Sequence, residues 1–210
     1  MERPFCIGQE DIMARTGRPR QFDRDQAVDK AMNLFWAKGF ESTSLADLRQ
    51  SLGGLSAASF YAAFGSKQAL YEECLQRYTE TCGEVTSVLE TAQLNAKASL
   101  RLMLERLIDV QTSSTSPSGC MAVLSGLNCL EENREVENRT QALREKTRED
   151  IRRHLMLAAG KGEFPTTLDP DSFTLMLDCF IKGIAIQARD GISAEALRQA
   201  AEQMLTLWVE

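Results

Sequence analysis

Between residues 43 and 67 the chain reads TSLADLRQSLGGLSAASFYAAFGSK, and its hydrophobic positions recur at helical intervals on both sides of a glycine pair. Leu45, Leu48 and Leu52 fall at i, i+3 and i+7, Phe60 and Phe64 at i and i+4, with Gly53 and Gly54 between them. Residues at such spacings share one helix face, and glycine supplies the backbone freedom for a sharp corner. The pattern predicts a helix-turn-helix, a unit whose second helix is shaped to lie in a DNA major groove.

The same periodicity runs through the rest of the chain. A first helix is expected over 23–38, with Ala27, Ala31, Leu34 and Phe35 on its apolar face, acids at Asp23 and Asp25 complementing its N-terminus, and Gly39 ending it. Thr43 or Ser44 can cap the second helix, Ser56 the third, and Ser66 a fourth that carries Leu70, Cys74, Leu75 and Tyr78. Further helices are expected over 97–111, 121–130, 136–159, 172–190 and 194–209, with the polar stretch TSSTSPSG as a loop between the first two of these. No alternating run is long enough to predict a strand. The expected fold is all-α with about nine helices: a three-helix helix-turn-helix unit followed by a larger helical one.

Composition narrows the class. The 210 residues are 43% hydrophobic and 26% charged, as in ordinary globular proteins. The net charge of −6 argues against a protein that coats nucleic acid nonspecifically, but the charge is uneven. Residues 14–22 carry Arg15, Arg18 and Arg20 and no acid, whereas residues 81–210 hold 14 Lys and Arg against 19 Asp and Glu. A basic arm on an acidic body suits contact with DNA at one end only. Gly17 and Pro19 keep that arm extended, so its arginines can enter a narrow minor groove. The six cysteines are scattered without CxxC pairs, which points to reduced thiols in a cytoplasmic protein. No stretch approaches the roughly 20 apolar residues needed to cross a membrane. Residues 1–14 lack a period and are expected to form a flexible extension, Met13 being itself a natural start.

Taken together, the arm GRPR, Ala31, Phe35, Gly39-Phe40, Thr43-Ser44, Gly54-Leu55-Ser56, Ser59-Phe60-Tyr61, Phe64, Ser66-Lys67 and Leu70 form an ordered set. Residues 15 to about 78 thereby resemble the DNA-binding domain of the TetR family of one-component bacterial repressors. The resemblance implies that Tyr61 and Lys67 hold DNA phosphates, and a phenol and an ammonium near helix ends suit that task. Thr43 and Ser44 lie where a helix N-terminus can also donate to phosphate. Base edges would be approached by Ser56, Ala57, Ala58, Ser59 and Ala62. This face departs from many relatives, because alanine can meet a thymine methyl but forms no bidentate bond to a purine. Readout is therefore expected to lean on Ser59, Arg49 and the arm.

The resemblance is looser from residue 81 to 210, which is expected to bind an effector and to dimerise. Residues 172–190 are apolar on more than one face (Phe173, Leu177, Ile181 and Ile184, but also Leu175, Met176 and Ile186), as in a helix buried on several sides. In the family the last two long helices pair with their copies, and two half-sites about 34 Å apart require two recognition helices, so a homodimer is expected. Candidate lining residues for a small-molecule cavity are Met103, Leu107, Cys120, Leu124, Leu127, Met176 and Phe180. Cys120 follows Ser-Pro-Ser-Gly and would open a helix, where the dipole favours a thiolate; relatives with Gly-Cys here include thiol-based sensors.

Two rival classes remain. A small enzyme has little support: His154, the single histidine, stands among Arg152, Arg153 and Leu155 on an apparently solvated face, and no catalytic set, phosphate loop, metal site or cofactor motif accompanies it. A helical adaptor that has lost DNA binding is motivated by the alanine-rich recognition face.

Overall fold

The computed structural model describes residues 23–90 and 94–209. Among these, nine α-helices follow one another without a strand: α1 (Arg24–Lys38), α2 (Leu45–Ser51), α3 (Ala57–Phe64), α4 (Lys67–Tyr78), α5 (Ala96–Gln111), α6 (Met121–Leu124), α7 (Arg134–Gly160), α8 (Pro170–Arg189) and α9 (Ala194–Leu205). The arm with Arg15, Arg18 and Arg20 lies outside the described residues.

Helices α1 to α4 form the head, and short polar side chains set their starts. Asp23 accepts from the Gln26 amide, Ser56 from Ser59, and Ser66 from Ala69. At α2, where two caps were possible, Ser44 takes the role in a reciprocal box with Asp47. Thr43 is instead buried, its hydroxyl donating to the Gly39 carbonyl at 2.6 Å. Gly53 and Gly54 turn the corner between α2 and α3 with φ of 88° and 79°, a region costly for other residues. The Arg49 Nε closes that turn by donating to the Leu55 carbonyl at 2.7 Å. Arg77 of α4 then clamps α1 through Asp25 at 2.7 Å and Asp29 at 2.9 Å.

The hydrophobic core of the head gathers Phe35, Trp36, Phe40, Phe60, Phe64, Leu70 and Tyr71, with the Phe35 and Tyr71 rings edge to face at 5.1 Å. It also takes in Met121, Ala122 and Val136 from the second half of the chain. A second core, built on α5, α7, α8 and α9, centres on Leu100, Met103, Leu104, Ile108, Ile151, Leu155, Leu177 and Trp208.

The helix expected over 121–130 stops at Leu124. Three tertiary demands break it. The Ser125 carbonyl accepts from the Phe40 amide at 2.7 Å; Gly126 packs so closely that a Cβ there would stand 2.6 Å from the Thr140 Cγ2; and Asn128 adopts a φ of 58°. Helix α8 begins earlier than expected, because Pro170 fits its first turn behind the Asp169 cap. Helix α9 ends at Leu205, and the chain then loosens so that Trp208 can bury its ring and donate to the Glu163 carbonyl at 3.1 Å.

Candidate nucleic-acid interface and internal cavity

Helix α3 turns Phe60 and Phe64 inward and presents Ser56, Ala58, Ser59, Tyr61 and Ala62 to solvent, with Ala57 half-buried. This outer face is shallow. The two serine hydroxyls lie 2.9 Å apart, and Ser56 also accepts from the Ser59 amide at 3.0 Å, so both help to cap the helix. Tyr61 is 51% exposed at the edge of the face. Lys67, in the first turn of α4, rests its ammonium over the Phe40 ring, 4.1 Å from the centroid. Partial burial lowers its pKa, as expected for a cation held against an apolar surface. The Phe40–Lys67 pair was not foreseen, since it joins side chains far apart in sequence.

Two expectations for this surface need correction. Thr43 cannot offer its hydroxyl to a phosphate while it is buried and bonded to Gly39; Ser44 is the exposed residue at the start of α2. Arg49 commits its Nε to the α2–α3 turn, so part of its guanidinium serves the corner and not a base edge.

Beneath the head lies a cavity of about 70 Å³ between the end of α4, α5, α6, α7 and α8. Its apolar wall includes Leu107, Val110, Val123, Leu143 and Ile181. Of the seven residues expected to line it, Leu107 and Cys120 do. Met103 is instead fully buried in the second core, and Phe180 packs against that core. Leu124 turns toward Gly119, while Leu127 (48% exposed) and Met176 point outward. The misassignment has one cause: apolar character does not say which side of a helix meets a cavity, a core or another molecule.

Cys120 stands at the start of α6 without a side-chain capping bond. Burial pushes its pKa up, outweighing the hydrogen bonds that oppose it, among them the 3.2 Å donation from the Tyr78 hydroxyl. His154 also departs from expectation. Its ring lies between two backbone carbonyls, with Nδ1 3.1 Å from Leu89 and Nε2 2.9 Å from Ala96, so it clasps the start of α5 to α7. Among the described residues no three His, Cys, Asp or Glu side chains gather as a metal site requires, and no helix is long and apolar enough to cross a membrane.

The segment 118–125 ties head to body. Trp36 Nε1 donates to the Gly119 carbonyl, the Tyr71 and Ser125 hydroxyls lie 2.6 Å apart, and Arg189 of α8 donates to the carbonyls of Ser118, Trp36 and Ala37, each at 2.9 Å.

This architecture recurs in known proteins. Residues 27–74 match the family model for bacterial regulatory proteins of the tetR family. The HTH-type transcriptional repressor ComR of Escherichia coli (strain K12) is 32% identical over 195 residues, covering 92% of each chain. The repressor BdcR of the same strain is 29% identical over 184 residues, covering 86% of each. A cysteine variant of the TetR family transcriptional regulator CifR, solved with 26-base-pair double-strand operator DNA, superposes with a TM-score of 0.83 at 31% identity, covering 91% of this chain and 100% of that one. The chain belongs to the TetR family of bacterial regulatory proteins and is a DNA-binding transcriptional regulator, not an enzyme.

Proposed function

We propose that the protein is a repressor that binds a palindromic operator as a homodimer in the cytoplasm and is released by a small molecule. In this reading residues 15–80 engage DNA, while residues 81–210 sense the effector and dimerise. The observation that carries it is the junction at 118–125: one short segment lines the cavity through Cys120, Ala122 and Val123 and also holds the head, α1 through Gly119 and then Phe40 and Tyr71 through Ser125. A change in the cavity can therefore alter the set of the head. By linkage the effector acts only through its difference in affinity for the two arrangements, and operator DNA weakens effector binding by the same factor.

Dimerisation is supported by an apolar stripe on α8, where Leu175, Met176, Cys179 and Ile186 are exposed in the single chain. A second copy is the natural cover, because a recognition helix reads one half-site and a palindrome has two. On DNA, Tyr61 and Lys67 would grip phosphates, and the arginines expected to form the arm, Arg15, Arg18 and Arg20, would reach a minor groove. Release through a small molecule is favoured over thiol modification, since burial suppresses the Cys120 thiolate.

Fluorescence anisotropy with palindromic fragments from beside the protein's own gene tests this. Affinity should fall steeply with salt. Lys67→Ala should weaken all sequences alike and reduce the salt slope by about one, whereas a Ser59 substitution should change sequence preference. A folded dimer that binds no upstream fragment would favour the adaptor.

A further inference from the structure

We propose that Phe40 is the positioning residue of the DNA-phosphate grip: the face of its buried ring holds the Lys67 ammonium ready for a phosphate before DNA arrives. This rests on the reading of Lys67 given above and adds the group through which it acts.

The ammonium stands 4.1 Å from the centre of the Phe40 ring, close enough for the negative face of the ring to attract it. Among the described residues no hydrogen bond or ion pair takes up its donors. Glu41 is an acid whose charge acts on it, yet the Glu41 Oε1 is engaged elsewhere. It accepts from the Leu130 amide at 2.9 Å and from the Asn133 side-chain amide at 2.8 Å. The cation is thus held by a ring and not by a carboxylate, which leaves the N–H donors that point away from the ring free for an oxyanion.

The ring itself is fixed on several sides. It is only 2% exposed, its plane lies 15° from that of Phe35 with centroids 5.9 Å apart, and the Tyr71 ring meets it at 75° and 5.1 Å. The Phe40 amide donates to the Ser125 carbonyl at 2.7 Å, so the junction below the head anchors the backbone that carries the ring. Lys67 opens α4 next to the Ser66 cap, where the helix N-terminus also favours an anion. A lysine must order a long, rotatable side chain to grip a phosphate. Contact with a fixed ring removes part of that entropy cost in advance.

The test replaces Phe40 in the full chain by mono-, di- and trifluorinated phenylalanine, which drain the negative face of the ring in steps at nearly constant shape. Fluorescence anisotropy reads binding to two duplexes of equal length, one from beside the protein's own gene and one of mixed sequence at low salt. Affinity should fall with each added fluorine, by about three- to tenfold at the end of the series, and alike on both duplexes, because a phosphate contact carries no sequence. In a Lys67→Ala background the same series should change affinity by less than about twofold, since the partner of the ring is gone. A series without effect, a series that strengthens binding (a parked ammonium, not a presented one), or an equal loss with and without Lys67 would each overturn the inference. Phe40→Leu, apolar but ringless, gives the same comparison if the fluorinated rings do not fit the core. NMR reads the contact in the unaltered chain: ring current from Phe40 should place the Lys67 Cε protons upfield of those of the other lysines, and an ordinary position overturns the inference. Lys67→Ala alone addresses the underlying reading. Unchanged affinity for both duplexes overturns the phosphate role, whereas a loss that the fluorinated rings do not reproduce overturns only the part given to Phe40.

Discussion

The indole Nε1 of Trp36 donates to the carbonyl oxygen of Gly119 at 3.2 Å, joining the last turn of α1 to the loop that opens α6. The Tyr78 ring packs edge-on against that indole, with centroids 4.9 Å apart, and passes its hydroxyl on to Cys120. Gly119 has a φ of 83°, and a Cβ there would stand 2.6 Å from the Ala185 carbonyl oxygen. Gly119→Ala therefore combines backbone strain with a clash that no side-chain rotation relieves. It should destabilise the protein by about 2–4 kcal/mol, and Trp36→Phe, which removes the hydrogen bond and leaves a small cavity at a fully buried site, should cost a similar amount. Urea unfolding checks both.

The box between Ser44 and Asp47 orients the start of the seven-residue α2. Ser44→Ala should cost about 1 kcal/mol by urea unfolding. It should also weaken operator binding through disorder at the start of α2, whereas Thr43→Val should act on stability alone because Thr43 faces inward.

Acid should expose the same caps. The carboxylates of Asp47 and Asp169 lie below their ordinary value of 3.8, chiefly because each accepts from a backbone amide, of Ser44 and of Ser172 respectively. A depressed folded pKa contributes stability that is complete above the unfolded value and is lost as pH falls through the folded one. The melting temperature should be insensitive to these groups between about pH 7 and 5 and drop below about pH 4, with a shallower drop in Asp47→Asn.

Thiol chemistry should divide the cysteines by burial and by assembly. Burial raises the pKa of both Cys74 and Cys120, so alkylation by iodoacetamide at neutral pH should be slower there than in unfolded chain, and most of all at the fully buried Cys74, at every protein concentration. Cys179 is exposed on the α8 stripe and should label readily when dilute and slowly once dimers form. Mass spectrometry of digests reads each site. Concentration-independent labelling of Cys179 would count against the α8 interface.

What could be read in advance follows the range of the interactions. The helix starts at Ser56 and Ser66 were legible because a cap and its amide are three residues apart, and the α2–α3 corner because Gly53 and Gly54 announce it locally; Asp23, expected inside the first helix, instead caps it. The choice of Ser44 over Thr43 was not, since it depends on the Gly39 carbonyl waiting inside the head. The early stop of α6 depends on Phe40 and Thr140, distant in sequence and invisible to periodicity. The cavity was hardest of all. Leu127 and Met176 are as apolar as Leu107, and only packing places one beside a void and the others at the surface.

The shallow face of α3, with two alanines among its five exposed residues, has a consequence for dosage. A helix that discriminates weakly at each base pair leaves the rest of the chromosome as a serious competitor, since a genome offers about a million or more alternative sites. In the proposed dimer, occupancy of the true operator would then depend on multiplying two modest preferences, and on how many copies of the protein the cell maintains. A modest fall in synthesis would then relieve regulation nearly as well as the proposed ligand would.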